Sequence, residues 1–197
     1  MFQDLDSTLE ALLSRELPRN LGDQRFSFAA PFTEFIENTP SFNLFLYDIR
    51  ENLDLRSPAA EFRQQEEGPA TKRQPPVRVD CSYLITYWPK LASSPAEEHR
   101  YLGEVMKVLL RFPYLPAEIL QGNLQQQTLP IKMVSLRPSQ LQSVGEFWQA
   151  MGGKPKASLN CTITLAVSVQ PEPEIIPIVE SRDFEINPTL RKRLRRT

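Results

Sequence analysis

Apolar residues recur along this chain with two periods, and the switches between them mark its elements. Leu5, Leu9, Leu12, Leu13 and Leu17 fall at helical spacing and predict an amphipathic helix that Pro18 ends. Residues 25–28 alternate and suggest a short strand. Residues 42–49 are apolar on both alternating faces, Phe42, Leu44 and Leu46 on one and Phe45, Tyr47 and Ile49 on the other. Such a run predicts a strand covered on both sides. It turns polar through Asp48, Arg50, Glu51, Asn52, Asp54 and Arg56. A second strand is predicted over 77–87, with Val77, Val79, Cys81, Tyr83, Ile85 and Tyr87 on one face.

Ser94, Pro95 and Glu97 form a helix start, with a cap, a proline suited to the first turn and a capping-box glutamate. Leu102, Val105, Met106, Leu109 and Phe112 supply that helix's stripe, and Pro113 closes it. A helical turn follows at 116–120, then a strand at 131–136. Leu141, Val144, Phe147, Trp148 and Met151 mark a third helix, with Gly152 placed at its C-terminal end. Residues 158–169 alternate most cleanly of all.

The order helix, strands, helix, strand, helix, strand predicts one small α/β (α+β) domain, a largely antiparallel sheet with helices packed on one face. It would occupy residues 1–170. Residues 57–76 are polar and rich in proline, and read as a flexible insert, a long finger at one edge of the sheet. Beyond Pro171 the periodicity fades, so 171–197 reads as an extended proline-rich tail with a basic end.

Composition adds limits. The 197 residues suffice for one substantial core, and a net charge of −1 gives no bulk attraction to nucleic acid. No apolar run nears the roughly 20 residues that span a bilayer. Two cysteines on strand-like segments suggest buried thiols in a reducing compartment, hence a cytoplasmic protein.

A catalytic constellation is hard to assemble. His99 is the one histidine, and no CxxC, HxxxH or HExxH spacing exists, so no metal or other cofactor is expected. Cys81 or Cys161 with His99 would make a thiol enzyme, but both thiols lie on the apolar phase of their strands. The expectation is no enzyme and no small-molecule substrate. Arg191, Lys192, Arg193, Arg195 and Arg196 make the chain's end basic and motivate the alternative of a nucleic-acid-binding module. The acidic stretch before them and the lack of interleaved aromatic residues disfavour it.

Five segments together carry a resemblance: 42–57 (FNLFLYDIRENLDLRS), 78–88 (RVDCSYLITYW), 98–116 (EHRYLGEVMKVLLRFPYLP), 138–148 and 158–164 (SLNCTIT). Their combination and order resemble the cap, or tail-terminator, family of phage-tail-like contractile injection systems, of the Photorhabdus virulence cassette and antifeeding prophage type. The resemblance spans roughly residues 1–170. It implies the small tail-terminator fold and a hexameric ring that closes the far end of sheath and inner tube. Sheath subunits, inner tube subunits and further copies of the chain would be its partners. Arg50, Glu51, Asp54 and Arg56, where the opening strand leaves the core, and the basic residues 191–196 are the candidate contacts.

Overall fold

The computed structural model describes residues 1–21, 25–31, 41–57, 61–63, 70–89, 95–137, 143–152, 155–169 and 174–176. The described chain has two compact units.

The larger unit comprises Met1–Arg56 and Pro76–Ser168. Its sheet has five strands: β1 (Arg25–Ser27), β2 (Ser41–Glu51), β5 (Val77–Trp88), β6 (Lys132–Ser135) and β7 (Leu159–Val167). They lie in the order β1-β2-β5-β7-β6. The β1–β2 pair is parallel and the others are antiparallel. Fully buried Asn43 secures the edge strand, donating from Nδ2 to the carbonyls of Ser27 (3.4 Å) and Ala29 (2.8 Å). The other edge, β6, is partly covered by residues 113–115: Met133 N–H donates to Pro113 O at 2.8 Å and Leu115 N–H to Ile131 O at 2.9 Å.

Helix α1 (Phe2–Glu16) and helix α2 (Pro95–Arg111) bury the predicted stripes against one sheet face. Leu5, Leu9, Leu12 and Leu13 of α1 and Leu102, Val105 and Leu109 of α2 join Phe42, Leu44, Cys81, Tyr83, Ile85, Cys161, Ile163 and Leu165 in one core. The proline start of α2 is as expected, while its proposed cap Ser94 lies outside the described residues.

Helix α3 (Val144–Ala150) corrects the expectation of helices on one face. Trp148 packs with Leu84 and Trp88, joined by Tyr47 and Phe147. Leu84 and Trp88 occupy the alternate phase of β5, opposite Cys81, Tyr83 and Ile85, so α3 covers the other face. The expectation followed one phase of β5 and passed over the apolar pair on the second. Helix α3 ends as its sequence predicts, with Gly152 in the left-handed region at φ 70°. Leu141, expected in its stripe, lies outside the described residues.

The smaller unit comprises Ser57–Pro75 and Val169–Thr197. Its described residues form an antiparallel sheet β3-β4-β8, from Glu61–Arg63, Ala70–Arg73 and Glu174–Ile176. Periodicity missed these strands because each is three or four residues long and gains its partners only in the folded chain. The insert and the start of the tail, read separately in the sequence, pair with one another.

Candidate partner-contact surface

The exit of β2 carries the four described candidate residues, and its geometry begins with a β-bulge. Between Leu46, opposite Tyr83, and Asp48, opposite Ser82, the register gains one residue. Before the bulge Phe42, Leu44 and Leu46 share the face of Tyr83. After it, Ile49 opposes Cys81, and Arg50 opposes Asp80. The extra residue therefore moves Asp48 and Arg50 onto the face that simple alternation assigns to Phe45 and Tyr47. Ile49 moves the other way and is 47 % exposed. Its expected burial is corrected: the bulge turns it to the face of Cys81, and there it stays about half exposed.

A 3₁₀ turn, Leu53–Leu55, follows. Asn52 fixes it, its carbonyl accepting from the Leu55 N–H at 3.2 Å. Its backbone N–H donates to Arg78 O (2.8 Å), its Nδ2 donates to Asp80 Oδ2 (2.9 Å), and its Oδ1 accepts from the Leu55 N–H (3.2 Å). Asp80 Oδ1 in turn accepts from Thr164 Oγ1 at 2.7 Å, so the turn is tied to β5 and β7. Asn52→Ala removes both side-chain bonds and is expected to cost about 1–2 kcal/mol. Thermal unfolding measures that loss, and faster exchange of the Leu55 amide locates it.

Around this turn the charges pair locally. Arg50 grips Asp48 with two bonds, Nε to Oδ2 at 2.6 Å and Nη2 to Oδ1 at 2.9 Å. Hydrogen bonding to Asp48 is the main reason the Arg50 guanidinium is held protonated above its ordinary range. Arg56 Nε lies 3.4 Å from Glu51 Oε1. Exposed ion pairs of this kind add little stability. Alongside them Ile49 at 47 % exposure, Leu53 at 67 % and Leu55 at 46 % leave apolar side chains open at the exit, Ile49 on the sheet face opposite to Asp48 and Arg50. Asp54 is exposed beside them. The structure thus brings Arg50, Glu51, Asp54 and Arg56 to one turn.

The sequence placed Asn52 in the polar exit but not as its organiser, and it gave no sign of Asp80 or of how far Leu53 and Leu55 are exposed. An asparagine before a short turn is a readable capping signal. The role of Asp80 depends on strand register and has no local signal. Arg191, Lys192, Arg193, Arg195 and Arg196 lie outside the described residues, and with them the basis of the nucleic-acid alternative.

The candidate thiol pair is not assembled. Cys81 and Cys161 are both buried, and burial pushes each thiol up to about 12, which leaves negligible thiolate at neutral pH. His99 stands exposed in the first turn of α2. Among the described residues no three of His, Cys, Asp and Glu gather as a metal site, and no helix is long and apolar enough to cross a membrane.

With fold and surface in view, residues 4–181 match the Pvc16 N-terminal domain. The chain belongs to the Pvc16 N-terminal domain family. Two solved structures share the fold of this Pvc16-type domain. One is the sheath/tube terminator of the extracellular contractile injection system PVC in its extended state. It has a TM-score of 0.69 at 24 % identity, over 98 % of this chain and 70 % of that one. The other is the tube-terminating cap of the anti-feeding prophage, with a TM-score of 0.65 at 26 % identity, over 97 % of this chain and 67 % of that one. No curated protein matches the chain.

Proposed function

We propose that this chain is the terminator, or cap, subunit of a contractile injection system, closing the end of its sheath and inner tube. The observation that carries the reading is the backbone similarity to two terminators over 98 % and 97 % of the chain, joined to the family match. In this role the protein works by contact rather than by catalysis. It assembles as a six-membered ring, seats on the last layer of inner tube and engages the last layer of sheath. It is made in the cytoplasm and becomes part of the assembled particle.

The physics of the larger unit supports that work. A ring closes only if every subunit holds one rotation relative to the next, which demands a rigid body. Two cores, one on each sheet face, supply that rigidity. The clamped β2 exit offers an apolar surface with charges around it, including the candidate contacts Arg50, Glu51, Asp54 and Arg56. The basic residues 191–196 are further candidate contacts with the particle.

Electron microscopy of particles made without this protein tests the reading. Sheaths and tubes of irregular length are the expected result, with uniform length restored by the intact gene. Uniform, intact particles in its absence would exclude the role.

A further inference from the structure

Two exposed surfaces lie on opposite flanks of the five-stranded sheet and have complementary chemistry. The first is the β2 exit, where Ile49, Leu53 and Leu55 are exposed beside Asp54. The second borders β6, three strand positions away in the order β2-β5-β7-β6, or about 14 Å at the usual strand spacing. There Tyr114, bridged to Lys132 across the β6 edge, is 51 % exposed, and Leu136, just past the strand, is 43 % exposed. Lys132 and Arg137 are exposed beside them. Among the described residues, Asp54, Lys132 and Arg137 have no ion-pair partner, whereas Asp48 and Glu51 are paired within the exit.

Leu136 is also strained. Its φ is 62°, the left-handed region, which costs a non-glycine residue about 1–2 kcal/mol. The Leu136 N–H donates to Asn160 O at 2.8 Å, which holds the backbone there. Half-exposed, the side chain repays little of that cost within its own subunit. Strain kept at a surface position points to a contact made elsewhere.

We propose that the β2 exit of one copy docks on the β6 flank of the next, a head-to-tail contact between copies of this chain. This rests on the reading of the chain as a ring subunit. Charge selects the arrangement. A two-fold pairing of the flank with itself would set Lys132 and Arg137 near their own copies, and one of the exit with itself would offer Asp54 only Arg50 and Arg56, already paired with Asp48 and Glu51. The heterologous pairing joins Asp54 to Lys132 and Arg137 and sets apolar residue against apolar residue. Two different surfaces on opposite flanks also let every subunit use both at once, as a closed ring requires.

The test is a charge exchange in the full-length chain, read by light scattering and native mass spectrometry at low salt. Asp54→Lys alone, and Lys132→Glu with Arg137→Glu, are each expected to weaken self-association at least tenfold. Mixed in equal amounts, the two variants should assemble again by alternating, because Asp54 of one meets Lys132 and Arg137 of the other while the introduced lysine meets the introduced glutamates. Combining all three substitutions in one chain should restore the larger assembly. Leu136→Gly should weaken association while the melting temperature of the separate subunit holds or rises. Unchanged melting of the charge variants verifies that each still folds. Wild-type-like assembly by either variant alone, a mixture that assembles no better than its parts, or a wild-type chain that stays monomeric overturns the proposal. Irregular particle length without the protein, together with any of these, leaves the cap role standing and removes only this contact.

Discussion

Trp148→Ala is expected to lower the unfolding free energy by about 3–5 kcal/mol, the largest effect of any single substitution considered. Trp148 is fully buried and, with Leu84 and Trp88, forms the core on the second sheet face. The seven residues of α3 are too few to hold a helix by propensity, so packing must hold it. Phe147 adds to the seat, its ring 5.4 Å from Trp148 and 6.2 Å from Phe45, but it is only partly buried. Thermal unfolding should shift down by roughly 6–20 °C, given about 2–4 °C per kcal/mol at this size. Trp148→Phe should recover most of the loss, because the indole Nε1 is buried with no hydrogen-bond partner among the described residues and its removal frees the fold of that cost. A shift below about 2 °C for the alanine variant would contradict the packing of α3.

Tyr83→Phe comes second, with an expected loss of about 1.5–3 kcal/mol at neutral pH. The fully buried Tyr83 hydroxyl donates to Asp6 Oδ1 at 2.7 Å, joining α1 to the centre of the sheet. Burial raises the Asp6 carboxyl above its ordinary range, and the Tyr83 bond opposes that rise. Without the hydroxyl the half-buried carboxylate loses its donor. The pH dependence has a definite sign. A raised native pKa means the folded state binds this proton more tightly than the unfolded state, so the contribution is fully present below about 3.9, the unfolded value, and is lost as pH rises through the native one. Asp6→Asn keeps an oxygen acceptor for Tyr83 and removes the charge. It should therefore gain stability over the wild type as pH rises from 4 to 7. Equal melting temperatures for D6N and wild type across that range would refute this account.

Legibility in the sequence depended on how local each cause was. The stripe Leu5, Leu9, Leu12 and Leu13 and the alternation through Cys161, Ile163 and Leu165 are properties of single segments, and both were readable before any fold was known. Pro95 and Gly152 likewise act within one turn of their own helix. Leu84 and Trp88 were visible as apolar residues, but their meaning required knowing that α3 lies over them. The bulge at Tyr47 had no signal in composition. It exists because β2 and β5 pair with one extra residue on the β2 side. That single residue decides which way Ile49, Asp48 and Arg50 face, and so the character of the exit.

The candidate contacts divide in the same way. Arg50, Glu51, Asp54 and Arg56 stood out as charges at the end of an apolar run, which is a local pattern. Asn52 became their organiser only through Arg78 and Asp80, 26 and 28 positions further along the chain. Lys132 and Arg137 drew no notice, because nothing in their own segment says that β6 is an edge of the sheet.

By itself, then, the sequence determined the helices, the long strands, the buried thiols and the resemblance to a terminator family. Each of these follows from short-range spacing or from the order of residues. Only the tertiary structure decided that the sheet carries a core on both faces, that the insert and the tail share a second sheet, and that Asp54 stands on one flank while Lys132 and Arg137 stand on the other. Those features depend on register and strand order, which are set by residues distant in the chain and leave no periodic trace in any one segment.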